Sequence, residues 1–368
     1  MEGEKVKKKV LFLVNHEIVI YNFRKELVEK LLDAGYEVYI SSPNGEKINE
    51  LVSLGCIHID TNISRHGKNP VDDIKLTYIY VEMIKKIKPL IVLTYTIKPN
   101  IYGGIASVLT KTPYVANITG LGTALEKKGF LQKITKLLYK FSFIKIKKVY
   151  FQNEENKIFF EENKLSSNNY LLPGSGVNLN QFKPLQYSYQ DGDIHFVFIS
   201  RIMKEKGIEL YLEAARKLKE KYPWTHYHIC GFCEENYEEI LESMQRNGII
   251  KYHGMIKDIR TVLRNTHCTV HPSNYPEGLS NALLESAAAA RPIITTNRSG
   301  CRELVDHGIN GYLVEPENVK DLIEKMDRFI NLDIDIRREM GKQSRKKVEK
   351  NYDRKIVVEE YMETISSV

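Results

Sequence analysis

The chain has 368 residues, a length that suits two domains, and its 42% hydrophobic and 27% charged residues are ordinary for a soluble globular protein. No apolar run approaches the roughly 18–20 residues of a membrane span, and five scattered cysteines do not make a disulfide framework. The net charge of +7 is uneven: residues 1–190 hold 27 Lys+Arg against 18 Asp+Glu, and the remainder 27 against 29, so an acidic partner is expected at the N-terminal half.

The opening MEGEKVKKKVLFLVN is basic and then apolar, as a secretory signal would be. Its apolar part is short, no small-residue cleavage site follows, and it leads into Asn15 and His16. Lys9 to Val14 is therefore predicted to be a first strand and the protein cytoplasmic. Phe23 to Leu32 is a predicted helix ended by Gly35, and Glu37 to Ser41 a second strand. Repeated βαβ units of this kind imply a parallel sheet. No G-x-G-x-x-G follows the first strand, so a dinucleotide fingerprint is absent. Ile74 to Lys88 (helix), Leu90 to Thr94 (strand), the turn and helix TIKPNIYGGIASVL, and Tyr114 to Asn117 (strand) continue the alternation. In the loop NITGLGT, Gly120 and Gly122 allow a ligand close to the backbone.

Residues 127–148 contain eight lysines and no acidic residue. Phe130, Leu131, Ile134, Leu137, Leu138 and Phe141 share one helical face, and Lys133, Lys136 and Lys140 another. The apolar stripe is expected to face the core. The lysines allow two readings, a solvated rim or a surface that meets an anionic membrane leaflet.

Val149 to Gln152, a helix from Glu154, and Tyr170 to Leu172 complete the first domain, and the polar stretch Pro184 to Asp193 is read as a linker. Metal-dependent sugar transferases of another fold use D-x-D. Here Asp191 and Asp193 lie in the linker and Asp333 at a helix end, so no metal is expected. The second domain opens with the strand Ile194 to Ile199. Arg201 and Lys206 then stand across a strand-to-helix turn, two fixed cations placed for a diphosphate. The lone Trp224 is expected to be buried. Cys230 and Cys233 form a C-x-x-C in a turn, with no second Cys or His pair at ligand spacing.

Next comes HPSNYPEGLSNALLE, from His271 to Glu285, with Cys268 to His271 as a short buried strand. A turn leads into a helix-prone run, Asn281 to Ala290, that Pro292 closes. The backbone N–H groups of Leu279, Ser280 and Asn281 are expected to lack intrahelical partners, and that end of a helix favours anions. Glu285, about one turn further in, could accept from a vicinal diol. The two carboxylates, Glu277 and Glu285, have seven residues between them.

This E-x7-E after a strand, with its flanks EGLSNALLESAAAARPIITTNRSGCREL and NGYLVEPEN, resembles the family-4 retaining glycosyltransferases. The resemblance implies the GT-B fold: two Rossmann-like domains with a cleft between them and a last helix, here Val357 to Ile365, crossing back to the first. Domains are expected at 1–186 plus 353–368 and at 187–352. It implies catalytic roles for Glu277, Arg201 and Lys206, and donor contacts from Glu285, Gly278, Leu279, Ser280 and Asn281, with the nucleobase near Met255 and Ile256. Ser200 replaces a glycine of the family's GRxxxxKG. The acceptor side is assigned His16, Lys98, Thr119 and Gly120. Many members carry a glycine pair in the first turn, where this chain has NHEIVIYNFRKEL. Where much of the family has a histidine, this chain has Thr119, which cannot be a general base at neutral pH.

The function this implies is transfer of a hexose or N-acetylhexosamine from a UDP-sugar to an undecaprenyl-diphosphate-linked bacterial glycan, as capsule and O-antigen enzymes do. The enzyme would sit on the inner face of the membrane, with Lys133, Lys136 and Lys140 facing it and no metal or nucleic acid required. Two alternatives belong to other classes: a UDP-sugar 2-epimerase of the same fold, and a non-catalytic nucleotide-sugar or lipid-binding protein. The first would lack E-x7-E with R-x4-K, and the second is motivated by Thr119.

Overall fold

The computed structural model describes residues 7–62, 69–126, 129–187 and 192–368, so Asp191, Lys127 and Lys128 lie outside the described residues. The chain divides into two compact units, Met1–Ser175 with Lys355–Val368, and Gly176–Arg354.

The first unit is built on seven strands: β1 (Lys9–Leu13), β2 (Glu37–Ser42), β3 (Ile57–Asp60), β4 (Ile91–Tyr95), β5 (Tyr114–Ile118), β6 (Lys148–Phe151) and β7 (Asn169–Leu171). They lie in the order β3-β2-β1-β4-β5-β6-β7, every pair parallel. The central strands are mostly apolar and buried along almost their whole length because helices cover both faces of the sheet. One cover is the C-terminal helix Arg354–Ser366, which sends Val357, Tyr361 and Ile365 among Val10, Phe12 and Tyr95. Asn117 Nδ2 donates to Tyr361 Oη at 2.9 Å, and Lys148 pairs with Glu360 at 2.8 Å. The last helix therefore does return to the first unit.

The helix Pro70–Ile87, among those on the opposite face, starts where Asn69 Oδ1 accepts from the Val71 N–H at 3.1 Å and Pro70 occupies the first turn. On the same face, the helix Phe130–Ser142 overturns an expectation. Its core-facing residues are Thr135, Tyr139 and Ser142, with Tyr139 edge-on to Phe143 and Phe160. Of the apolar stripe only Leu138 packs against the core, and the rest points outward: Phe130 is 80% exposed, Leu137 54% and Phe141 57%. Tyr139 supplies the ring that fills the space above the sheet, so the core takes this face and leaves the more apolar one outside. Lys133 and Lys140 are exposed, but Lys136 is half-buried, donating to Asn163 Oδ1 at 2.8 Å and lying over the Phe159 ring. Lys136 therefore is not among the outward-facing lysines.

The second unit holds β8 (Ile194–Ile199), β9 (Thr225–Cys230), β10 (Lys251–Tyr252), β11 (Cys268–His271), β12 (Ile293–Thr296) and β13 (Gly311–Val314), in the parallel order β10-β9-β8-β11-β12-β13. The division between units falls before Gly176, earlier than the expected 186/187. Val177 and Phe182 pack with Leu279, Leu283 and Leu304, and Tyr187 Oη donates to the His267 carbonyl. The stretch read as a linker thus begins as part of the second unit's core. Asp193 is held by His226 Nε2 at 3.0 Å. Trp224, expected to be buried, is 47% exposed, because it sits on the turn before β9 with its ring edge-on to Tyr222.

Candidate active site

In each sheet the strand order reverses once, between β1 and β4 in the first and between β8 and β11 in the second. Loops leaving the carboxyl ends of the two strands at such a point diverge and open a crevice for ligands. Arg201 and Lys206 leave β8, and Glu277 leaves β11, so the three assigned catalytic residues converge at the second unit's reversal point.

Lys206 Nζ lies 2.6 Å from Glu277 Oε1, and both side chains are largely buried. The same oxygen is reached by His271 Nε2 at 3.1 Å and Ser273 Oγ at 3.3 Å. Burial alone would raise the Glu277 carboxyl. The Lys206 charge and the His271 hydrogen bond outweigh it and hold the group well below the usual carboxylate range. The Tyr275 ring faces both cations, with Lys206 Nζ 4.4 Å and the Arg201 guanidinium 5.3 Å from its centre. Arg201 also reaches Glu234 at 3.4 Å.

Two glycines permit this geometry. Gly207 has φ +81°, and a Cβ there would meet the Pro272 carbonyl oxygen at 2.1 Å; this tight turn brings Lys206 beside β11. Gly300 has φ +89°, and a Cβ there would meet the Glu277 Cβ and carbonyl oxygen at 3.0 Å.

The helix Asn281–Ala288 carries the second carboxylate, anchored by Leu283, Leu284, Ala287 and Ala288. One expectation at its start is corrected. The Ser280 N–H donates to the Gly300 carbonyl at 2.8 Å, because the turn folds back on the loop after β12; it is not open to an anion. The Leu279 side chain is buried in the core with Leu283 and Leu304. Gly278 is buried next to Glu277, and Asn281 stands at the helix start with Oδ1 buried and unpartnered. Glu285, partly buried, makes no hydrogen bond through its carboxylate among the described residues. Burial pushes it up to about 7, opposed by the nearby Arg354 charge. Met255 and Ile256 lie in the loop after β10, with Met255 exposed and Ile256 packed near Val262 and Leu263.

In the first unit, His16 follows β1 and Lys98 follows β4, on the two sides of its own reversal point, while Thr119 and Gly120 follow β5. His16 Nδ1 is 2.8 Å from the buried Glu17 carboxylate. Lys98 is paired with Asp73 at 2.8 Å, so its charge is already matched.

Sequence reading missed His271 and Ser273 as partners of Glu277, and the Tyr275 ring as a partner of Lys206 and Arg201. His271 stands six residues before Glu277, and only the turn through Pro276 brings their side chains together. A histidine closing a buried strand directly before the acidic turn was the one available signal.

Two family models match the chain: residues 182–347 match glycosyl transferases group 1, and residues 9–153 match glycosyl transferase 4-like. N,N'-diacetylbacillosaminyl-diphospho-undecaprenol alpha-1,3-N-acetylgalactosaminyltransferase of Campylobacter jejuni is 26% identical, covering 97% of this chain and 98% of its own. The capsular polysaccharide biosynthesis glycosyltransferase CapM of Staphylococcus aureus is 25% identical over 90% of each chain. Among solved structures, a glycosyltransferase of Rickettsia africae superposes with a TM-score of 0.82 at 21% identity, covering 99% of each chain. Anabaena HepE, in complex with UDP and glucose, superposes with a TM-score of 0.80 at 17% identity, covering 98% of this chain and all of the other.

Proposed function

The chain belongs to the family-4 glycosyltransferases of GT-B fold, and we propose that it moves a hexose or N-acetylhexosamine from a UDP-sugar to an undecaprenyl-diphosphate-linked glycan, with retention at the anomeric carbon. The observation that carries this reading is the convergence of Arg201, Lys206 and Glu277 at the reversal point of the second sheet, with Glu285 on the adjoining helix. The C. jejuni relative, similar over nearly its whole length, acts by its name on an undecaprenol-diphosphate-linked sugar.

In the proposed reaction the bond between the anomeric carbon and the β-phosphate oxygen breaks, and its electron pair leaves with UDP. Lys206 and Arg201 stabilise the charge that develops on that phosphate. The acceptor hydroxyl bonds to the anomeric carbon on the face the phosphate leaves, and its proton passes to the departing phosphate oxygen. No side-chain base is then needed at Thr119. Glu277 holds hydroxyls of the donor sugar, fixed for that task by His271 and Ser273. Glu285, whose carboxylate makes no hydrogen bond among the described residues, accepts from the ribose diol. The acceptor's lipid places the work at the inner face of the cell membrane.

The test is turnover of a UDP-sugar panel with a polyprenyl-diphosphate-linked acceptor, followed by UDP release and by mass of the lipid product. UDP release coupled to acceptor growth is expected. An epimerised UDP-sugar with no acceptor growth, or binding without turnover, overturns the reading.

A further inference from the structure

The helix Phe130–Ser142 is turned with its more apolar side away from the protein. Phe130, Ile134, Leu137 and Phe141 recur at i, i+4, i+7 and i+11, forming one stripe along the helix, with Leu131 beside it. All five are exposed, and Ile144 continues the exposed apolar surface just beyond the helix. A water-facing stripe of large side chains over three turns costs solubility and marks a binding surface.

The charges around the stripe indicate what covers it. Lys133 and Lys140 lie along one flank, and Lys145 and Lys147 follow its end; all four are exposed. None makes a salt bridge among the described residues, and no acidic residue occurs from 129 to 148. A second copy of the chain would bring the same lysines together and repel. An anionic bilayer supplies hydrocarbon for the stripe and phosphates for the lysines. A helix of thirteen residues is about 20 Å long, too short to span a bilayer but suited to lie in its interface.

We propose that Phe130–Ser142 is an interfacial membrane helix, its Phe130, Ile134, Leu137 and Phe141 side chains inserted among the acyl chains of an anionic bilayer and Lys133 and Lys140 at the phosphates. This rests on the reading of a lipid-linked acceptor and specifies how the first unit meets the lipid. Attachment is mainly hydrophobic, with the lysines selecting anionic surfaces.

The test is co-sedimentation of the full chain with vesicles of phosphatidylcholine alone or mixed with phosphatidylglycerol, at about 0.1 M and about 1 M salt. Wild type should bind the mixed vesicles and keep part of that binding at high salt. The triple variant Phe130→Ser, Leu137→Ser, Phe141→Ser should lose about 100-fold or more at both salts. The double variant Lys133→Glu, Lys140→Glu should lose about tenfold or more at low salt. Both should keep wild-type thermal unfolding and wild-type turnover on a short, water-soluble acceptor. Triple-variant binding equal to wild type overturns the proposal, as does a wild-type dimer that the triple variant dissolves without any vesicle binding. Equal wild-type binding to neutral and mixed vesicles overturns the role of the lysines. Loss of all turnover in wild type would instead contradict the sugar-transfer reading and leave the vesicle result standing.

Discussion

Replacing Lys206 by alanine removes a cation from the proposed diphosphate position and strands a buried carboxylate. Its ammonium is 2.6 Å from Glu277, and both side chains are mostly shielded from water. At that separation two unit charges attract by on the order of 6 kcal/mol at an effective dielectric constant of about 20, before the cost of desolvating them. Removing one partner of a buried pair costs about 3–5 kcal/mol, because the other charge is left uncompensated. Here the stranded group is Glu277, which burial then forces upward against only the weaker help of His271 and Ser273. The expected loss is roughly 10 °C in Tm. Turnover should fall by about 10²–10³ in kcat, as it does when one donor to a developing oxyanion is lost. The double variant Lys206→Ala, Glu277→Gln separates the two effects: the neutral amide needs no counter-charge, so stability should largely return while kcat stays low. Thermal unfolding and UDP-release kinetics on the three proteins decide it. A Lys206→Ala protein with wild-type Tm and wild-type kcat refutes the reasoning, and so does recovery of turnover in the double variant.

Glu285, pushed up to about 7, binds a proton more tightly folded than unfolded, so it stabilises the fold below about pH 4.5 and loses that contribution as pH rises through 7. Glu285→Gln should therefore raise Tm at about pH 8 more than at about pH 5, and should abolish a rise in donor affinity between about pH 6 and pH 8 that wild type shows; isothermal titration with UDP checks the second part. In the second unit, His195 and His228 are lowered to about 4 and about 3 by burial and by neighbouring imidazoles, and they share a hydrogen bond of 2.9 Å. Being depressed, they stabilise the fold above about pH 6.5 and lose that contribution as pH falls toward 4 and then 3, so acid unfolding should begin in this unit and be delayed in His228→Gln. Turnover should persist in excess EDTA, since Arg201 and Lys206 supply the cations; abolition by EDTA with rescue by Mn²⁺ or Mg²⁺ would contradict this.

The buried strands were legible because a parallel sheet covered on both faces favours largely apolar runs: Ile194 to Ile199 and Cys268 to His271 match residue for residue. The edge strands β3 and β10 were not read, since half-exposed sequences such as IHID carry no such run. The placement of Arg201, Lys206 and Glu277 on the reversal-point loops was legible from position in the chain. Their pairing was not: Lys206 reads from sequence as a phosphate ligand, and only the left-handed Gly207 turn reveals that it also neutralises Glu277. The orientation of Phe130–Ser142 was misread because periodicity fixes which residues share a face, while the packing of Tyr139 decides which face turns inward.

The most direct measurement of the central claim is the anomeric configuration of the product, read by proton NMR of the glycan formed from a UDP-α-sugar and a polyprenyl-diphosphate-linked acceptor. An α-linked product whose formation collapses in Arg201→Ala and Lys206→Ala is the expected result. A β-linked product, or an α-linked product formed at wild-type rate by both variants, would contradict retention with a leaving group stabilised by these two cations.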